Sequence, residues 1–353
     1  MSKHVIFVIH GMGSATADWS KDAIKKFKAN ASAIKYPLSL KDDFEFIEIN
    51  YDHLFLQYIT QHNKNAKELS TYMTSAQLGG ASSFFRGLFE YSASSLSNED
   101  FVVSALGDVY LYRLAEYSNV VRSFVIQEIT SNLASRDHPQ WSVIAHSLGT
   151  RVIHDSLDEF LSKETNRDVF GKPVGLAMIA NVVHLLAYSP STLWKKTRVY
   201  PHRWRHHGGC YRYVNALHPA DPFCWVREFD PTPDWGDNAE YSSRYLKPDI
   251  KLKELTRGNS HSFEGYLENP RVSAAICWAL GTGDTAAPAY DEQKLIARQA
   301  KYAQSTLGGN AEKAWKKAQK LKMQRDLTSL REFVAALHEL EAFIKNFGES
   351  LTD

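Results

Sequence analysis

The chain has 353 residues, a formal net charge of +1 and 44% apolar residues. That length suits one large domain with an appendage or two smaller ones, and the apolar share excludes a disordered chain. Near-neutral charge gives no general drive toward nucleic acid, and three cysteines with no CxxC pair indicate neither a disulfide framework nor a thiolate metal site.

The elements follow in chain order. Val5–Ile9 is a β-branched run that reads as a buried strand, too short for the apolar region of a signal peptide. Ala17–Phe27 has helical spacing, and Phe44–Ile49 is a second strand. Residues 53–100 form a polar and aromatic excursion, read as a lid or cap insertion. Asp108–Leu133 carries Tyr110, Leu114, Tyr117, Val121, Val125 and Ile129 at three- and four-residue steps, which predicts a helix. Trp141–Ala145 is a third strand, followed by a helix from Leu148 to Leu161. Val182–Tyr188, Tyr211–Leu217 and Ile250–Leu255 are read as the fourth, fifth and sixth strands, and Asn269–Leu280 as a helix. Strands separated by helices imply right-handed crossovers, hence a mostly parallel sheet of about six strands with helices on both faces, an α/β fold. This domain is expected to span 1–283. Beyond it, 284–353 reads as a helical extension, with helices at Lys294–Ala303, Ala311–Arg325 and Leu327–Phe347. No stretch approaches the roughly 20 apolar residues needed to span a bilayer.

Chemistry concentrates where strands end. In "WSVIAHSLGTRVIHDSL" (141–157) a strand runs into a helix through Ser147, flanked two positions away by Ala145 and Gly149. A serine lifted into a sharp strand-to-helix turn needs small neighbours, because larger ones collide with adjacent backbone. Such a serine is either a nucleophile or a plain helix cap. His10-Gly11-Met12-Gly13 follows the first strand. An acyl-transfer site needs two donors for the tetrahedral oxyanion. The amide of Leu148, next after Ser147, supplies one and that of Met12 a second, unless the glycines make an ordinary turn. Asp221 lies just past the fifth strand and His261 in a loop before the last helix of the domain. Ser147, Asp221 and His261 thus run in the order nucleophile, acid, base. Asp230 and Asp234 are rival acids, and His218 is the nearest rival among the 14 histidines.

At these positions the chain resembles the α/β-hydrolase superfamily, its lipase- and esterase-like members in particular. The carriers are HG-x-G at 10–13, A-H-S-x-G at 145–149, "LLAYSPSTLW" at 185–194 as a strand-end loop, and "HSFEGYLENPRV" at 261–272 as a divergent H-S-x-Y-W ending. The resemblance covers residues 4–282, and the chain begins at what would be the family's third strand, so a short sheet is expected. It implies a serine hydrolase of carboxylic esters with nucleophile Ser147, base His261, acid Asp221 and oxyanion donors Met12 and Leu148. No metal and no organic cofactor is implied. Thioesterase or amidase chemistry uses the same constellation, and a catalytically silent scaffold binding a protein partner through its helical tail is the rival of another class.

Other segments bear on the substrate. Phe84, Phe85 and Phe89 lie on one predicted helical face of the 53–100 excursion and, with His10 and Gly11, are the expected substrate-binding residues, favouring lipid or phospholipid acyl esters. A fixed helix packed on the core is the plain alternative. Residues 194–212 are dense in Lys, Arg, His and aromatics. They read as a solvated basic loop, or as a binder of a phosphate-bearing head group through Lys195, Lys196, Arg198, Arg203 and Arg205. The expected setting is cytoplasmic, with no nucleic-acid partner, no transmembrane segment and at most peripheral membrane contact.

Overall fold

The computed structural model describes residues 3–11, 17–54, 57, 115–137, 139–184, 198–219, 221, 224, 229–231, 235, 244–246, 249–254, 260–281, 290–305, 316 and 320. Among the described residues six strands form one sheet: β1 (His4–Ile9), β2 (Phe44–Ile49), β3 (Trp141–His146), β4 (Gly175–Ile179), β5 (Arg212–Leu217) and β6 (Ile250–Lys251). Their order is β2-β1-β3-β4-β5-β6 and every pairing is parallel. The helices of the described residues are α1 (Lys21–Ala33), α2 (Ala115–Ala134), α3 (Leu148–Phe160), α4 (Glu164–Phe170), α5 (Phe263–Glu268), α6 (Pro270–Ala279) and α7 (Glu292–Gln304).

The continuous apolar run of β1 reflects burial on both faces. Val5, Phe7 and Ile9 join one core with Val121, Val125, Ile129 and Leu133 of α2 and Val152, Ile153 and Leu157 of α3. Ile6 and Val8 point the other way, into a core with Ile24 and Phe27 of α1, Tyr266 and Leu267 of α5, and Val272 and Ile276 of α6. The two-residue period of the strand decides this split. Each large side chain so buried contributes about 1.5–3 kcal/mol. The chain moves from β1 outward to β2, then returns to place β3 on the other side of β1. The order therefore reverses between β1 and β3, and the crevice beyond their C-terminal ends is where an open α/β sheet takes a ligand.

The sixth strand stops at Lys251, short of the expected Leu255, and two further expectations need correction. The fourth strand is Gly175–Ile179, not Val182–Tyr188. A Cβ on Gly175 would stand 2.4 Å from the Ala279 carbonyl oxygen, so only glycine lets the end of α6 close on the sheet here. Ala180, at φ 50°, ends the strand, and the Val183 amide then donates to Asn181 Oδ1 at 3.0 Å in a side-chain-closed turn. Val182 and Val183 are buried in the core without being strand, and 185–188 lie outside the described residues. Second, the loop expected around His261 contains a short helix, α5, capped by Ser262. Lys26 of α1 bridges Glu264 and Glu268 of α5 at 2.9 and 2.8 Å, tying that helix to the sheet domain.

Helix α7 is the described part of the expected extension. Arg298 donates to Asn30 Oδ1 of α1 at 3.1 Å, Gln299 to Glu254 at 2.9 Å, and the Asp291 amide to the Ile34 carbonyl at 2.8 Å. It therefore packs back on the sheet domain. Leu327–Phe347 and nearly all of Ala311–Arg325 lie outside the described residues.

Candidate active site

Ser147 stands between β3 and α3 at φ 54°, ψ −126°. A non-glycine residue held there stores about 1–3 kcal/mol of strain, which persists only if the surroundings over-determine it. They do. The Ser147 amide donates to the Ile179 carbonyl at 2.9 Å, and Thr150 Oγ1 donates to the Ser147 carbonyl at 2.6 Å while accepting from the Val182 amide at 3.1 Å. The small residues nearby are compulsory. A Cβ on Gly149 would lie 2.2 Å from the His10 carbonyl oxygen, and one on Gly11 would lie 2.5 Å from Ser147 Cβ. Ser147 makes no side-chain bond to the N-terminus of α3, which removes the helix-cap reading.

Its hydroxyl is engaged elsewhere. Ser147 Oγ is 2.7 Å from His261 Nε2, and His261 Nδ1 is 2.7 Å from Asp221 Oδ2. With Nδ1–H donating to the carboxylate, Nε2 is left to accept from the serine. All three side chains are buried. Asp221 is fixed by a turn after β5: its amide donates to the His218 carbonyl at 2.8 Å and its carbonyl accepts from the Cys224 amide at 3.1 Å. The rival groups stand differently. The His218 amide donates to Tyr266 Oη, behind the acid, and burial pushes its imidazole down to about 4. Asp230 sits beside His184, with its amide donating to Nδ1 at 3.2 Å, and Asp234 lies outside the described residues.

Two further side chains frame the trio. His146 Nε2 is 2.8 Å from the His261 carbonyl oxygen, and burial, reinforced by the neighbouring His261, holds the His146 imidazole well below its ordinary range. A neutral His146 donates Nε2–H there. Tyr266 Oη donates to Asp221 Oδ2 at 3.1 Å. Neither contact is readable from the sequence. His146 carries a signal only as a neighbour of Ser147, and Tyr266 none beyond lying five residues after His261.

Beside the serine, Gly11 backs directly onto Ser147, and Leu148 opens α3 with its side chain fully buried. Met12 lies outside the described residues. The His10 ring stacks on Tyr51 with centroids 4.2 Å apart. Its Nδ1–H donates to the Gly11 carbonyl at 2.7 Å, and Nε2 accepts from the Tyr51 amide at 3.1 Å. Burial pushes His10 down to about 4, consistent with that neutral tautomer. His10 is thus a wall that sets the Gly11 peptide, and both its ring nitrogens are taken.

Phe84, Phe85, Phe89, Lys195 and Lys196 lie outside the described residues. Arg198, Arg203 and Arg205 do not approach the trio. In a parallel sheet the segment leading into a strand lies at the N-terminal edge, and residues 198–211 lead into β5. Lys172, just before β4, gathers this loop by donating to the carbonyls of His202, Trp204 and His207, and Arg205 donates to the Arg167 and Asp168 carbonyls at the end of α4. A strand of five residues separates the edges by about 17 Å. Among the described residues, no group of three His, Cys, Asp or Glu side chains is arranged to hold a metal ion, and no helix is long and apolar enough to cross a membrane.

No family model matches the chain and no curated protein matches it. Among solved structures it is similar to a cutinase-like protein from Cryptococcus sp., at 9% identity and a TM-score of 0.34, over 80% of this chain and 96% of that one. A likeness of that size carries no argument about chemistry; the fold class rests on the sheet order and register.

Proposed function

We propose that the chain is a serine hydrolase that cleaves carboxylic esters through an acyl-enzyme. One observation carries the reading. A serine held at φ 54° on a strand-to-helix turn leaves its helix uncapped and instead places its hydroxyl 2.7 Å from an imidazole backed by a buried carboxylate. A hydroxyl is a weak nucleophile until a base within hydrogen-bond reach takes its proton. In the proposed reaction Ser147 Oγ attacks the ester carbonyl and its proton passes to His261 Nε2. The imidazolium is faced by Asp221, which also fixes the tautomer. The oxyanion accepts from the Leu148 and Met12 amides. His261 returns the proton to the leaving alkoxide, and water, deprotonated by the same imidazole, releases the acid. No step needs a metal or an organic cofactor.

On the acyl side, the aromatic sequence at Phe84, Phe85 and Phe89 supports an apolar chain, and so a lipid-like ester. The far position of Arg198, Arg203 and Arg205 argues against their choosing a head group. The test is hydrolysis of p-nitrophenyl esters from two to sixteen carbons by the parent, Ser147→Ala and His261→Ala. The parent is expected to favour longer chains, and each variant to lose about 10⁴-fold or more in kcat. Parent-like turnover by Ser147→Ala overturns the hydrolase assignment, and a preference for acetate overturns the lipid-like acyl side.

A further inference from the structure

We infer that Tyr266 is a positioning residue that sets the basicity of His261 through Asp221; the inference rests on the hydrolase reading above. One oxygen of the acid, Oδ2, receives both the His261 imidazole at 2.7 Å and the Tyr266 hydroxyl at 3.1 Å. The same hydroxyl accepts from the His218 amide at 2.7 Å, and the His218 carbonyl accepts from the Asp221 amide at 2.8 Å. The hydrogen bonds close a ring: Asp221 carboxylate, Tyr266 hydroxyl, His218 peptide, Asp221 amide. Because Tyr266 rides on α5, which starts two residues after His261, the ring links the turn that carries the acid to the segment that carries the base. The link is buried throughout, since Asp221 is 0% and Tyr266 1% exposed.

The consequence is electrostatic as well as geometric. A hydrogen bond donated to a carboxylate spreads its charge, so Oδ2 attracts the His261 imidazolium less than a bare carboxylate would. Burial and the facing Asp221 push the Tyr266 phenol well above its ordinary value, so it remains a donor across the working range. Other groups face the cluster: His146 from β3, His218 and Cys224 after β5, Glu254 after β6, and His10 at the end of β1. Burial pushes His10 and His218 down to about 4 and His146 well below its ordinary value, so all three are neutral near pH 7.

Removing the hydroxyl should therefore make the imidazolium easier to form. The acid limb of kcat/KM, where His261 gains its proton, should move to higher pH. The experiment uses the full chain. Tyr266→Phe keeps the ring and its packing. Its pH profile is expected to shift up by about half to one unit, with kcat reduced several-fold and KM unchanged. The low-field proton resonance of His261 Nδ1–H, followed without substrate, should titrate with the same shift. A double-mutant cycle with Asp221→Asn separates positioning from bulk destabilisation: in that background Tyr266→Phe should cost less than in the parent, the remainder reporting the His218 amide that loses its acceptor. An unmoved acid limb and resonance in an active enzyme, or an equal loss in the Asp221→Asn background, overturns the role of Tyr266 and leaves the hydrolase reading intact. A shifted resonance in a chain that cleaves no ester overturns the hydrolase reading and leaves the coupling standing.

Discussion

At an ordinary helix position, replacing glycine by alanine stabilises a protein by about 0.5–1 kcal/mol, because the unfolded chain loses freedom. Gly149→Ala should do the reverse. The new Cβ would meet the His10 carbonyl oxygen at 2.2 Å, the Ile9 carbonyl oxygen at 2.8 Å and Ile9 Cγ2 at 3.0 Å. A carbon settles against a carbonyl oxygen near about 3.3 Å, so the start of α3 and the end of β1 must part by about 1 Å. Neither yields freely. Ile9 is paired on both sides, with Ile49 and Ala145, and the His10 carbonyl accepts from Tyr51 Oη at 2.9 Å. Overpacking of this kind costs about 1–3 kcal/mol, so the net change is a destabilisation despite the favourable helix propensity. The same displacement shifts Ser147 relative to His261. The assay is urea unfolding with the midpoint and slope compared to the parent, beside the rate of modification by a fluorophosphonate. A lowered midpoint and a slowed rate are expected. A variant at or above parental stability with unchanged reactivity would refute the steric reasoning.

Ser147→Gly should remove the strain at φ 54° and gain about 1 kcal/mol while abolishing hydrolysis; thermal unfolding checks it, and an unchanged or lowered midpoint contradicts it. Stability should fall with acid. Burial pushes His4, His10 and His218 from 6.5 to about 4, so between these values the unfolded chain binds more protons than the folded one. Stability is then level above about pH 6.5 and declines toward pH 4, by about 2 kcal/mol per histidine at pH 5. Denaturant midpoints at pH 7.5 and 5.0 read this directly, and equal midpoints contradict it. Arg203→Ala with Arg205→Ala should leave kcat/KM for anionic and neutral esters in the same ratio, since both residues lie at the other edge of the sheet; a changed ratio would bring that loop back to the substrate.

The sequence is most legible where one residue pattern has one structural solution. Val5–Ile9 and Trp141–Ala145 are apolar without interruption, and strands buried on both faces read that way. The helix of α3 and its serine turn are legible because steric demand writes small residues at fixed spacings. The fourth strand misleads because two apolar runs flank Ala180-Asn181, and the choice between them lies in a distant contact, Gly175 against Ala279. Six residues are too few for a helical period, so α5 is hidden, and with it the link from Tyr266 to the acid. The edge on which 198–211 sits follows from strand direction: these residues lead into β5, and a strand parallel to β4 is entered at the edge opposite the crevice.

Activation of Ser147 by His261 leaves a covalent signature that a phosphonylating reagent reads. The most direct measurement treats the full chain with a fluorophosphonate and locates the adduct by peptide mass spectrometry. A single phosphonyl group on Ser147, absent in His261→Ala, is the expected result. An unmodified Ser147, or equal modification with and without His261, would contradict it.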